Sequence, residues 1–158
     1  MKKKNPIKVI DFEDLVPNIY FLKSCNSLVI FLTFGLKYLS LKNYEFDSNL
    51  NFEIGQFLTL TVSSNLRFFA IADSKISLFD IEKIKQLSIS SISKDQISCL
   101  IISKKLSFVA CSELSGVLSI LSFPSLNLLQ QVDFNLPDLK FLTLSDNEKL
   151  IGCSDYKY

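Results

Sequence analysis

The chain contains no histidine and no tryptophan, and only four glycines, four prolines and one methionine among 158 residues. Without histidine there is no Ser-His-Asp or Cys-His catalysis, and no zinc site with an imidazole ligand. The glycines, Gly35, Gly55, Gly116 and Gly152, stand alone, and none opens a helix with a Lys-Ser/Thr pair. A glycine-rich phosphate loop is therefore missing, and no nucleotide cofactor is expected. An excess of charge of either sign is missing too: 17 basic and 16 acidic side chains leave a net charge of +1. No net field draws the chain to phosphate backbones. Cys25, Cys99, Cys111 and Cys153 lie far apart, form no C-x-x-C pair, and are accompanied by no N-x-S/T acceptor site. A reduced, cytosolic or nuclear setting is the expectation.

Long hydrophobic runs are also lacking. The most apolar window, Ser27 to Leu36 (SLVIFLTFGL), ends at Lys37 well short of a bilayer span and reads as two buried strands. Lys2, Lys3 and Lys4 are followed by Asp11, Glu13 and Asp14, which interrupt any signal-peptide apolar region. No membrane partner is expected. What the chain does have is 48% hydrophobic residues, with 14 Phe and 5 Tyr, arranged in short runs of Ile, Val, Leu, Phe and Tyr between Ser, Asn, Asp and Lys clusters. These are strand and turn signals. The one helix candidate, Asp80 to Leu87 (DIEKIKQL), is as short as a loop, so the fold class expected is all-β.

An internal repeat organises these strands. A shift of forty residues superposes Leu60 on Leu100, Ser63 on Ser103, Leu66 on Leu106, Phe68 on Phe108, Phe69 on Val109 and Ala70 on Ala110. Forty-two residues further on, Leu142, Leu144, Ser145, Leu150, Ile151, Gly152, Cys153 and Ser154 match Leu100, Ile102, Ser103, Phe108, Val109, Ala110, Cys111 and Ser112. Backwards by forty, Tyr20, Leu22, Leu28, Val29 and Ile30 fall on Leu60, Val62, Phe68, Phe69 and Ala70 in apolar character only. The second unit resolves into four strands, Phe57 to Ser63, Phe68 to Ala72, Ile76 to Asp80 and Gln86 to Ile92. Four antiparallel strands per forty residues make a β-propeller blade, in which face-to-face packing buries both sides of the inner strands. The competing architecture is a β-sandwich, against which the period argues. The expected division is a tail at 1–15, blades at 16–54, 55–94 and 95–135, and a half blade at 136–158: about three and a half blades in one segment.

The strings LTLTVSSNLRFFAIADSKISLFD and SCLIISKKLSFVACSELSGVLSIL resemble the WD-repeat family, in which a Ser ends the first strand, a polar turn follows, and small residues end the second. In SLFD, Phe79 stands for the signature Trp and Asp80 is kept; Gly116 keeps the turn glycine. The Asp-His-Ser-Trp tetrad of that family has no counterpart here. A fainter likeness, through FAIADSKISLF and SGVLSI, is to the non-catalytic WD-repeat subunit of tRNA guanine-N7 methyltransferase. The resemblance implies a partial or truncated WD-repeat-like propeller, a non-enzymatic scaffold for other protein subunits. The fainter one implies an RNA-positioning subunit. An open blade edge invites self-association, and the alternating Ile7 to Phe12 is a candidate closing strand. Whether the segment is a fragment or a half-propeller completed by a partner stays open.

Few side chains remain as candidates for chemistry. Lys83, Lys85, Lys94, Lys104 and Lys105 fall in expected turns and would track a phosphate backbone if they gathered on one rim; solvated turn lysines are the simpler reading. Cys99, Cys111 and Cys153 read as small buried hydrophobes rather than reactive or metal-binding thiolates. Asp11, Glu13 and Asp14 read as a solvated loop. Tyr20, Tyr38, Tyr44, Tyr156 and Tyr158 read as blade filler more than as a binding surface. No catalytic residue, metal or cofactor is expected.

Overall fold

A computed structural model describes residues 16, 18–22, 26–32, 35–46, 52–53, 58–83, 85–137 and 139–155. The expected strand Ile7 to Phe12, the carboxylates Asp11, Glu13 and Asp14, Cys25, Tyr156 and Tyr158 lie outside them. Every regular element among the described residues is a β-strand, all pairings are antiparallel, and no helix is long and apolar enough to cross a membrane. The chain divides into two compact units, Met1–Glu53 and Ile54–Tyr158.

In the first unit, β1 (Asn18–Leu22), β2 (Ser27–Leu32) and β3 (Gly35–Ser40) form a meander. Two short strands, β4 (Glu45–Phe46) and β5 (Phe52–Glu53), both pair with β3, one at Leu39–Ser40 and one at Gly35–Leu36. Ile30, Leu32 and Leu39 form its small core, and Tyr20 meets Phe31 edge-on.

The described residues of the second unit form three sheets. The first is β6 (Thr59–Val62), β7 (Phe68–Ala72), β8 (Ile76–Asp80) and β9 (Lys85–Ser90); the second is β10 (Ile97–Ile102), β11 (Phe108–Glu113), β12 (Val117–Ser122) and β13 (Leu128–Asp133). The third is the hairpin β14 (Phe141–Leu144) and β15 (Ile151–Ser154). The expected strands at Phe68–Ala72 and Ile76–Asp80 occur with those bounds, and the other two within two residues of theirs.

The repeat is reproduced pair on pair. Val62 pairs with Phe69, Ile102 with Val109 and Leu144 with Ile151; Leu60 pairs with Ile71, Leu100 with Cys111 and Leu142 with Cys153. The two residues that lengthen the later spacing lie in the β11–β12 hairpin, since Phe68 pairs with Asp80 but Phe108 with Ser122. A register shift recurs at one place in the outer pair of both four-stranded sheets, between Leu78 and Phe79 and between Ile120 and Leu121.

The backward superposition onto the first unit needs correction. Leu22 pairs with Ser27, and Val29 with Tyr20, so this hairpin is offset by two residues from the Val62–Phe69 pattern. A two-residue slip keeps every side chain on its face, so apolar character alone carries no trace of it.

Between the two four-stranded sheets lies the main core. Phe68, Ala70, Ala72, Ile76 and Leu78 from one face meet Ile97, Leu100, Ile102, Val109, Cys111 and Leu121 from the next. The opposite face of β7 is buried as well: Phe69 is inaccessible and stacks on Phe79 with ring centroids 4.7 Å apart. Burial on both sides explains why β7 (FFAIA) is apolar throughout rather than alternating. The first strands lie side by side, β10 packing against both β6 and β14.

Candidate functional site

Antiparallel order puts the first and third turns of each sheet at one end, and the second turn and inter-sheet linker at the other. At the first end, one turn recurs three times. Ser63, Ser103 and Ser145 each close it by two backbone bonds, the amide of each donating to Phe68, Phe108 or Leu150 and its carbonyl accepting from Leu66, Leu106 or Glu148. Those last three residues all have φ near +57°, at 58°, 56° and 58°. The serine hydroxyl braces the same turn: Ser63 Oγ accepts from Phe68 N at 2.9 Å, and Ser145 Oγ from Leu150 N at 3.0 Å. This is the physical content of the serine that ends each first strand.

In the second and third of these turns the left-handed residue also makes contacts outside its own turn. Leu106 packs on the main core, which offsets part of the roughly 1–2 kcal/mol that this conformation costs a side-chain-bearing residue. Glu148 does the same by charge, accepting from Ser103 Oγ at 3.0 Å, from Lys105 N at 3.3 Å and from Lys104 N. Lys104 Nζ lies 2.8 Å from Asp146 Oδ1; this pair raises the Lys104 ammonium and lowers the Asp146 carboxyl from their usual values, in each case first through their hydrogen bond.

The same end carries Asp80. Its carboxylate is almost wholly buried and accepts from Glu82 N at 3.0 Å, from Lys83 N at 3.2 Å and from Arg67 Nη2 at 3.1 Å. Arg67 lies over the Phe68 ring and is held above its usual pKa, chiefly by the Asp80 hydrogen bond. Asp80 therefore ties together the first and third turns of its sheet.

The five lysines do not form one group. Lys83 and Lys85 follow Asp80 at the third turn, and Lys104 and Lys105 sit on the first turn of the next sheet. These four share an end, where Lys104 is engaged by Asp146 and Lys105 follows the Glu148 contact. Lys94 lies at the opposite end, in the linker between β9 and β10, beside Asp95, Glu113 and Asp133. Sequence reading passed over Glu113, although the last three repeats each carry an acid there, Asp73, Glu113 and Asp155. Its burial depends on how the linker folds over it.

Cys99, Cys111 and Cys153 are free thiols. Burial pushes Cys111 up to about 12, with the Glu113 charge adding to it, and burial also raises Cys99. No group of three or more His, Cys, Asp or Glu among the described residues is arranged to hold a metal ion. A shallow cleft of about 390 Å³ opens at the ends of the first strands, lined by Leu58, Gln96, Ile97, Ser98, Leu114 and Lys140. Comparison with protein-family models and with curated proteins finds no match.

Proposed function

We propose that the chain is a run of WD-repeat-like propeller blades acting as a non-enzymatic scaffold for other protein subunits. The observation that carries this reading is the repeated register of three successive sheets, combined with first strands that lie side by side. Stacked blades supply rigidity, and their turns and outer strands supply specificity. The outer strand β13 and the residues after it present Leu128, Leu129, Phe134 and Leu136 to solvent, a composition suited to protein partners. Free thiols at the three described cysteines suit a reduced cytosolic or nuclear compartment. RNA positioning within a tRNA-modifying complex is the less favoured reading, because the candidate lysines divide between two ends and Lys104 is already paired.

Affinity purification of the chain at increasing salt tests the proposal. Stoichiometric protein subunits retained at about 0.5 M salt are the expected outcome. Copurifying tRNA that is lost steeply over that range, with no protein partner, would overturn it.

A further inference from the structure

The turn between β10 and β11 runs Lys104-Lys105-Leu106-Ser107, and Ser107 is the one serine or threonine in the chain with lysine at both the third and the second position before it. Basophilic serine kinases select their substrates by such charge patterns, binding cations on the N-terminal side of the acceptor hydroxyl. Ser107 and both lysines are exposed. In the two sibling turns the residue after the left-handed one is Arg67 or Lys149, so the hydroxyl at this place belongs to the middle turn alone.

That hydroxyl is wired to the contact between two sheets. Ser107 Oγ lies 3.0 Å from Ser103 Oγ, which lies 3.0 Å from Glu148 Oε2. Ser103 has one hydroxyl hydrogen and gives it to the carboxylate, so Ser107 donates to Ser103. Glu148 also accepts from Lys104 N and Lys105 N, and Lys104 Nζ holds Asp146 at 2.8 Å; together these fasten the β14–β15 turn to the second sheet. The hairpin depends on such contacts, since neither β14 nor β15 contains a fully buried residue. A phosphate ester on Ser107 has no hydrogen to donate to Ser103. It brings a charge of about −1.5 to −2 beside Glu148 and Asp146, and offers Lys104 and Lys105 a stronger partner than one carboxylate.

We propose that Ser107 is a phosphorylation site for a basophilic serine kinase, and that its phosphate releases the β14–β15 hairpin from the second sheet. Ser107 Oγ attacks the γ-phosphorus of ATP; the new O–P bond forms as the bond to the β-phosphate oxygen breaks, ADP leaves, and the hydroxyl proton passes to the base of the kinase. A kinase cleft takes its substrate extended, so the turn opens before it reacts. Exposed turns open at the least cost in a fold. Once phosphorylated, the turn closes with Lys104 drawn to the phosphate instead of Asp146, and Glu148 is repelled.

The test is incubation of the full chain with magnesium-ATP and the catalytic subunit of cyclic-AMP-dependent protein kinase, followed by peptide mass spectrometry and amide hydrogen exchange. Phosphate is expected on Ser107, with incorporation at least about tenfold slower when Lys104→Gln and Lys105→Gln are combined. Phosphate at other residues with Ser107 unmodified, or on a peptide copying residues 101–111 but not on the folded chain, would overturn the site. In the phosphorylated chain, exchange of the β14–β15 amides should accelerate at least about tenfold while β10–β11 keeps its protection. In Glu148→Gln, which has no carboxylate for the phosphate to repel, the acceleration should shrink to about threefold or less. Unchanged hairpin exchange, or the same acceleration in Glu148→Gln, overturns the release. If Glu148→Gln alone already frees the hairpin, salt takes its place: the acceleration by phosphate should shrink at about 1 M sodium chloride, and an equal acceleration at low and high salt overturns the release instead.

Discussion

Three single residues carry constraints that can be removed one at a time. A Cβ on Gly116 would lie 2.4 Å from the Leu136 carbonyl oxygen in a backbone region that side-chain-bearing residues avoid. Gly116→Ala should therefore cost about 2–4 kcal/mol, read as a lowered urea midpoint at unchanged slope. Asp80→Ala strands two backbone amides and Arg67, and should cost about 2–3 kcal/mol, with Asp80→Asn losing less because one carbonyl oxygen remains. Cys111 should resist alkylation at pH 8 in the folded chain and react fully in denaturant, since its thiol sits near 12; rapid native labelling would contradict its burial. The exposed pair of Lys104 and Asp146 has a defined pH signature. Because the folded Asp146 value is depressed, its contribution is present above the ordinary carboxyl value of 3.8 and is lost as pH falls through the lower folded value. Because the folded Lys104 value is raised, its contribution is present below 10.5 and is lost as pH rises through the higher folded value. An NMR titration of Asp146 should move up toward 3.8 in Lys104→Met.

At the scale of elements, the recurring unit is the serine-closed turn between first and second strands. Removing a hydroxyl that braces a backbone amide should cost about 1 kcal/mol at Ser63 and at Ser145. Ser103→Ala should cost more, since Ser103 also donates to Glu148 of the next sheet and is itself inaccessible. Equal losses at all three positions in matched denaturation curves would show that the cross-sheet bond contributes nothing. These turns were legible in the sequence because the serine, the polar pair and the apolar resumption recur at a fixed spacing. The strand at Phe68–Ala72 was legible because both faces are buried, so the whole run is apolar, and Ile76–Asp80 because Ile76, Leu78 and Phe79 form a short apolar run between polar turns. The β1–β2 offset left no such trace, and neither did the pairing of both β4 and β5 with β3. Glu113 was hidden for a different reason. Its residue type is ordinary for a turn, and only tertiary folding of the β9–β10 linker and the end of β13 over it makes a cavity there.

For the molecule as a whole, the second unit is a short array of sheets: the two four-stranded sheets share the main core, and β10 packs against both β6 and β14. Energetics in such arrays are close to nearest-neighbour sums, so damage at the junction of the two four-stranded sheets should propagate. Leu100 and Leu121 are buried there, and truncating either to Ala should cost about 2–5 kcal/mol and lower protection of both sheets against hydrogen exchange together. Loss of protection in one sheet alone would mean that the two fold independently. The proposal that these sheets are successive blades about one axis is decided by a crystal structure of the chain: one near-constant rotation should carry β6–β9 onto β10–β13 and β10–β11 onto β14–β15, with β6, β10 and β14 nearest the axis. Two sheets packed face to face as a sandwich, with β6 and β10 on separate layers and no common rotation, would contradict it.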